Sequence, residues 1–142
     1  MAKNKTFRIE TEGIKETMKQ LGITNAQLKI LTDKSVMDAA ILIQGEVKQS
    51  IAGRRAEPTS VDTSNFLQKI FIAKNKVGEA KVFSPVPYSI FLEYGTSNKG
   101  ESKGEGKRGI APRNHFRNSL NRNKLKIHKM FKDDLRKAKN VQ

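Results

Sequence analysis

The sequence has no cysteine and no tryptophan among its 142 residues, and it contains only two histidines. The absence of cysteine excludes disulfide bonds and thiolate metal ligands, and two isolated histidines do not suggest a metal site. No apolar run approaches the roughly 20 residues that a membrane-spanning helix requires. The first residues are polar where a secretory signal peptide requires an apolar segment. We therefore expect no membrane association, no metal and no cofactor, in a protein made in a cytoplasm.

Apolar residues are also scarce, at 36% of the chain, whereas charged residues account for 30%. A chain of this length suits one domain, and we assign residues 1–142 to a single one. Its core must be small, because little apolar surface is available to fill it. Long flexible loops, or burial of apolar surface against partner subunits, are therefore expected.

Acidic residues are few in the last third of the chain. The formal net charge is +14, and residues 99–142 contribute 14 basic against 4 acidic side chains. Residues 1–98 hold 14 basic and 10 acidic side chains, so most of the excess charge follows residue 98. Such an excess suits contact with nucleic acid or with an acidic protein surface. The alternative is a solvated, lysine-rich helix that keeps the protein soluble, and the sequence leaves both open.

The longest periodic pattern predicts a helix of about seven turns from Asn25 to Ile51. Apolar residues recur there every three or four positions, which places them on one face of the helix. Thr24 and Gln27 form a capping-box pattern, in which the hydroxyl and the amide each satisfy a free backbone N–H group. Small residues near the middle, Ser35 among them, would let another element approach closely.

The remaining patterns complete an α+β fold. In this fold the long N-terminal helix and a basic C-terminal helix pack on a small, mostly antiparallel sheet. Residues 1–23 are predicted to form a strand and a short helix, residues 52–64 and 97–110 two flexible loops, and residues 139–142 a frayed tail. The predicted elements are strands at Thr6–Glu10, Phe66–Lys74 and Glu79–Ser84, short helices at Ile14–Leu21 and Tyr88–Tyr94, and a final helix that begins at Pro112.

An aromatic cluster is predicted to tie the sheet to the helices. If Phe91 is fully buried in this cluster, its replacement by alanine should cost about 3–5 kcal/mol. The predicted packing core consists of Phe66, Phe71, Phe83, Tyr88, Phe91 and Phe116.

No pattern in the sequence predicts a catalytic, metal or cofactor-binding site. His115 and His128 lie at the start and on the flank of the final helix, where packed or exposed histidines are common. The glycines between Gly100 and Gly109 lack the preceding strand and the following Lys-Ser/Thr of a phosphate-binding loop. Glu93 lies in an apolar segment, and we expect it to face solvent or to meet an arginine of a neighbouring element or chain.

Three short motifs follow the long helix in a fixed order. They read VDTSNF over Val61–Phe66, PYSIFLEYGT over Pro87–Thr96, and APRNHFRNSL over Ala111–Leu120. In this order and spacing the chain, over roughly residues 24–138, resembles the tail-completion (head–tail joining) proteins of long-tailed bacteriophages, minor tail components of the siphophage type. The middle motif is the most specific of the three.

This resemblance implies a structural virion protein that is not an enzyme. Proteins of this family assemble into rings, typically hexamers, at the top of the tail tube in the phage neck, and they join the tail to the DNA-filled head. The implied partners are further copies of the chain, the neck connector and stopper proteins and the tail-tube protein, with the passing genomic DNA as a further candidate. The interface residues hypothesised from charge and from the motifs are Arg54, Arg55, Glu93, Tyr94, Lys103, Lys107, Arg108 and Arg113.

Two other classes of protein remain open. A basic nucleic-acid-binding protein would use the cations of the final helix, although these spread around the helix without a recognition-helix or aromatic stacking pattern. A small enzyme or toxin would require a site that the sequence does not show.

Overall fold

The computed structural model describes residues 7–8, 22, 24–60, 64–96 and 110–139. The helix predicted over 14–21, residues 61–63 of the first motif, the segment 97–109 and residues 140–142 lie outside this part of the chain. The predicted α+β fold is confirmed, because two long helices accompany a small antiparallel sheet. The elements are β1 (Phe7–Arg8), α1 (Asn25–Ile51), α2 (Asn65–Gln68), β2 (Phe71–Lys76), β3 (Glu79–Phe83), α3 (Ser89–Tyr94) and α4 (His115–Lys139).

The long helix α1 begins and ends where the sequence predicts, at Asn25 and Ile51. Its capping box is formed: the Gln27 backbone N–H donates to Thr24 Oγ1 at 3.3 Å, and the Thr24 backbone N–H donates to Gln27 Oε1 at 3.1 Å. These bonds satisfy backbone N–H groups at the start of the helix, which have no partner within the helix itself. Ala39 and Ala40 are completely buried, and their small side chains allow neighbouring elements to approach the helix closely.

Strands β2 and β3 form a hairpin, and β1 pairs with the free edge of β3. The strand order is therefore β1-β3-β2, and both pairings are antiparallel. The hairpin turn contains Gly78, whose φ of +75° lies in the region that glycine adopts without strain. Ala80 and Val82 of the central strand β3 are buried, on the face of the sheet that α1 covers.

The segment predicted as one strand, Phe66–Lys74, is divided between two elements. Residues Asn65–Gln68 form the single turn α2, and β2 begins only at Phe71. Ser64 has a φ of 60° and turns the chain just before α2, which leaves Phe66 only 3% exposed. A short apolar run suits a buried helical turn as well as a strand, so the spacing of its apolar residues does not distinguish the two structures.

The core lies between α1, β3 and α4. The two long helices run antiparallel, because Ser35 in the first half of α1 donates to Asp134 near the end of α4 at 2.5 Å, whereas Ser50 at the end of α1 meets His115 at the start of α4. The buried apolar residues are Val36, Ala39, Ala40, Ile43, Val47, Ile51, Phe66, Ile70, Ala80, Val82, Val86, Phe116 and Ile127.

The predicted aromatic core is only partly correct. Phe66 and Phe116 are buried, and Phe83 is half-buried. Strand residues alternate between the two faces of a sheet, so the ring of Phe71 lies beside that of Phe83 on the face that α1 does not cover. The prediction is wrong for three residues, which expose much of their surface: Phe71 44%, Tyr88 41% and Phe91 50%.

Candidate functional site

The short helix α3 is the centre of the candidate site, because it turns apolar side chains outward and polar side chains inward. Tyr88, Phe91 and Tyr94 are three residues apart and therefore share one side of this helix. They expose 41%, 50% and 41% of their surface, and we call them the aromatic ridge. Ser89 and Glu93, on the inner side, are buried. A short helix with this orientation exposes its apolar side at the surface of the described part of the chain.

The buried carboxylate of Glu93 caps the last helix. Glu93 Oε2 accepts a hydrogen bond from the Phe116 backbone N–H at 3.1 Å, and Oε1 accepts one from the Arg117 N–H at 2.9 Å. First-turn N–H groups have no partner within a helix and carry partial positive charge, so an anion is stabilised there. Burial raises the pKa of Glu93, and these hydrogen bonds oppose that rise. The predicted solvent-facing position of Glu93 is therefore wrong, and the group that it meets on Arg117 is the backbone N–H rather than the guanidinium.

Thr96 and Ile110, the described residues on either side of 97–109, are hydrogen-bonded to each other beside the aromatic ridge. The Thr96 N–H donates to the Ile110 carbonyl at 2.9 Å, and the Ile110 N–H donates to Thr96 Oγ1 at 2.7 Å. Gly95, with a φ of +74°, makes this closure possible, because a Cβ there would lie 2.6 Å from the Ile110 carbonyl oxygen. The hydrogen-bonded pair thus anchors both ends of a segment that reads SNKGESKGEGKRG.

The structure brings three of the hypothesised interface residues together. The Arg113 backbone N–H donates to the Leu92 carbonyl at 2.9 Å, which places Arg113 against the end of α3 next to Glu93 and Tyr94. Its guanidinium reaches the segment after α1 and donates to Ser60 Oγ at 2.7 Å. Arg113 is therefore committed to contacts within the chain.

The other hypothesised interface residues are not part of this group. Arg54 is exposed on the segment 52–60. Arg55 binds Glu46 of α1 through two hydrogen bonds, of 3.0 and 2.7 Å, so its charge is paired within the chain. The cations of the second loop lie outside the described residues: Lys103, Lys107 and Arg108.

A buried polar cluster holds the segment 52–60 between α1 and α4, so this segment is not the free loop that its composition predicts. Ser50 and His115 are completely buried, and Glu57 is 6% exposed. Ser50 Oγ lies 2.8 Å from both Glu57 Oε2 and His115 Nδ1. Ser60 Oγ lies 2.6 Å from His115 Nε2, and Arg122 Nη1 donates to Glu57 Oε1 at 2.5 Å. We call these five residues the polar cluster.

The donor and the acceptor of each hydrogen bond in the polar cluster can be assigned. Burial works to raise the pKa of Glu57, but hydrogen bonds from Arg122 and Ser50 outweigh it and hold the pKa at about 2. The ionised carboxylate can only accept, so the Ser50 hydroxyl donates to it and accepts from His115 Nδ1–H. His115 Nε2 then carries no proton and accepts from the Ser60 hydroxyl. Burial also lowers the pKa of His115 to about 4, which agrees with this neutral imidazole.

The polar cluster contains the residue types of a hydrolase triad in a different arrangement. In such a triad the carboxylate orients the imidazole. Here Glu57 binds the hydroxyl of Ser50 instead, and His115 has no exposed surface. A cleft of about 300 Å³ between β3 and α3 is lined by residues such as Val82 and Ile90, and it reaches neither the serine nor the histidine. The cluster therefore serves to join α1, the segment 52–60 and α4.

Sequence reasoning singles out only His115 from the polar cluster. The burial of Ser50 could have been inferred, because it lies between Val47 and Ile51 on the apolar side of α1. No local signal marks Glu57, since its partner Arg122 is 65 residues away.

Comparison with family models, with curated proteins and with solved structures gives no match for this chain. The resemblance to tail-completion proteins therefore rests on the three motifs and stays a prediction. In the part of the chain that the structure describes, no helix is long and apolar enough to cross a bilayer. Among the same residues, no group of three or more His, Asp or Glu side chains is placed to hold a metal ion.

Proposed function

We propose that this chain is a structural subunit of a bacteriophage neck, a tail-completion or head–tail joining protein that works in a ring at the top of the tail tube. The aromatic ridge carries the proposal. Its three rings present apolar surface on one side of a single short helix, and exposed apolar patches mark contacts with other proteins. Tyr and Phe are also enriched at the centres of protein interfaces. The ridge lies within the motif PYSIFLEYGT, which carries the resemblance to this family.

The edge of the sheet supports assembly into a ring. Within the described residues, strand β2 pairs only with β3, so its outer edge is open to a further strand. A closed ring can cover such an edge and such a ridge on every copy at once. The net charge of +14 opposes self-association at low salt, so we expect the ring to form on a neighbouring tail or head component.

The segment 97–109 is proposed to contact the adjoining ring. Its two ends are hydrogen-bonded beside the aromatic ridge, through Thr96 and Ile110. Its sequence carries four basic and two acidic side chains and no apolar residue. These charged side chains can pair with oppositely charged groups on a neighbouring ring.

Complementation of a gene deletion tests the proposal. A phage that lacks the gene is expected to produce tailless, DNA-filled heads beside separate tails. Supplying the Phe91→Gln protein should leave this defect, because Phe91 is 50% exposed at the centre of the ridge. Ile41→Gln is the matched control, since Ile41 is an apolar residue 56% exposed on α1, and it should restore joined particles.

Urea unfolding of both variants establishes that each is as stable as the original protein. Normal virions from the deletion strain would contradict the proposed function. Normal virions with Phe91→Gln would contradict the assignment of the ridge as the contact surface.

A further inference from the structure

Exposed cations follow one face of α4 along most of its length. They recur every three to seven residues and lie within about 140° of the helix circumference at 3.6 residues per turn. From the first to the last they span about 33 Å at 1.5 Å per residue. Lys126 and Lys137 lie off this face, so the cations of α4 are less evenly spread than the sequence suggests. We call the following six residues the basic stripe: Arg117, Lys124, Lys129, Lys132, Arg136 and Lys139.

Among the described residues, acidic side chains leave the basic stripe almost unneutralised. Helix α4 contains two acids, Asp133 and Asp134. Asp134 is buried and accepts a hydrogen bond from Ser35, whereas Asp133 reaches Arg136 only at 4.0 Å. Other described acids have cationic partners away from the stripe: Asp33 with Lys74, Asp38 with Lys34, Glu46 with Arg55, Glu57 with Arg122 and Glu79 with Lys76.

The apolar face of α4 is already used inside the protein. Phe116 and Ile127 are buried in the core, and Leu125, 84% exposed, is the single large apolar side chain that α4 exposes. One such residue does not form an apolar face that could insert into a bilayer or into a groove of a partner. The helix can therefore recognise a partner through this surface mainly by charge.

A phosphate backbone fits the stripe better than an acidic protein does. Protein interfaces are depleted in lysine and centre on aromatic or arginine anchors in pockets. The stripe is rich in lysine and contains no aromatic residue. Duplex DNA carries one negative charge per about 1.7 Å of its axis, so a 33 Å line of cations can meet several phosphates at once.

We propose that the basic stripe binds the phosphate backbone of duplex DNA without regard to base sequence. Contacts to phosphate oxygens position a protein on DNA but do not read its sequence. This inference does not depend on the aromatic ridge or on ring formation, and it holds for the free chain. If all six cations meet phosphates, the logarithm of the binding constant should fall with the logarithm of salt concentration with a slope of about −5.

Fluorescence anisotropy of the full chain with a labelled duplex of arbitrary sequence, about 20 base pairs long, tests this proposal. Raising the salt fourfold, from 50 to 200 mM, should weaken binding about a thousandfold. The triple variant Lys124→Gln, Lys129→Gln, Lys132→Gln should bind more weakly and show a slope shallower by about 3. The matched control, Lys29→Gln, Lys69→Gln, Lys76→Gln, removes the same charge from exposed positions outside α4 and should keep the original slope.

Three results would overturn the inference. The first is no binding at 50 mM salt. The second is an equal loss of slope in the two triple variants, which would mean that net charge alone attracts the duplex. The third is displacement of the duplex by polyglutamate as readily as by unlabelled DNA, which would mark the stripe as a surface for acidic protein. Should the stripe triple variant unfold, Lys132→Gln alone should reduce the slope by about 1.

Discussion

Helices α3 and α4 follow one another in the chain and touch, yet they distribute polar and apolar residues in opposite senses. Helix α4 buries Phe116 and Ile127 and exposes its cations, as an amphipathic surface helix does. Helix α3 buries Glu93 and exposes Phe91. The two arrangements are linked, because the inward carboxylate of α3 is the group that caps α4.

This contrast shows that the apolar side chains of a six-residue helix do not determine its orientation. A helix this short has only one or two turns to bury, so burial of its apolar side would stabilise the protein only slightly. Two kinds of hydrogen bond set its orientation. The carbonyls of Leu92 and Glu93 accept from backbone N–H groups that follow Ile110, and the Glu93 side chain accepts from the first turn of α4. The exposed aromatic ridge is the consequence, and it supplies the surface that we assign to assembly.

Replacing one phenylalanine in each helix by alanine should give the largest difference in stability between the two helices. Phe116→Ala removes a buried ring of α4 and is expected to lower the free energy of unfolding by about 3–5 kcal/mol. Phe91→Ala removes a half-exposed ring of α3 and is expected to lower it by less than about 1 kcal/mol. Urea unfolding at neutral pH measures both. Losses of similar size would mean that the ridge is buried in the free chain and that the two helices do not differ.

Acidification tests the polar cluster that ties the start of α4 to α1. The pKa of His115 is about 4 in the folded protein against 6.5 ordinarily, so the unfolded chain takes up a proton first as the pH falls. Stability is therefore complete above pH 6.5 and should decrease between pH 6.5 and pH 4, by about 3 kcal/mol. Below pH 4.5 the protonation of Glu57, with its pKa of about 2, should extend the decrease.

The control for this prediction is His115→Gln, measured by urea unfolding over the same pH range. The decrease between pH 6.5 and pH 4 should be much smaller in this variant. Glu93 acts in the opposite sense because its pKa is raised, but it is present in both proteins and cancels in the comparison. Identical pH profiles would show that His115 is accessible to protons in the folded state.

Removal of the Glu93 carboxylate probes the link between the two helices directly. Glu93→Ala removes the carboxylate that accepts hydrogen bonds from the Phe116 and Arg117 N–H groups, and it should lower the free energy of unfolding by about 2 kcal/mol. Glu93→Gln keeps one acceptor oxygen and should lose less. Thermal or urea unfolding that places both variants within about 0.5 kcal/mol of the original protein would remove the capping role.

The limits of α1 and the existence of the hairpin, though not the start of β2, were predictable because their determinants are local. The capping box of Thr24 and Gln27 spans three residues, and the apolar stripe repeats every turn. The existence of α3 was likewise predictable from Pro87 and Gly95, which bound it. Its orientation was not, because Glu93 meets partners 23 and 24 residues further along the chain.

The sequence by itself determined the α+β class, the long helix, the hairpin and the concentration of positive charge in the last third, since each depends on composition or on neighbours within a few residues. Only the tertiary structure decided that Phe91 faces outward, that Glu57 and His115 are buried together and that the face shared by six cations of α4 stays exposed, with one described ion pair, Asp133 with Arg136. These outcomes depend on hydrogen bonds between residues 23 to 65 positions apart and on which side of each helix the core covers. Burial sets the cost of a charge or a polar group, and burial is a property of the folded chain rather than of any segment.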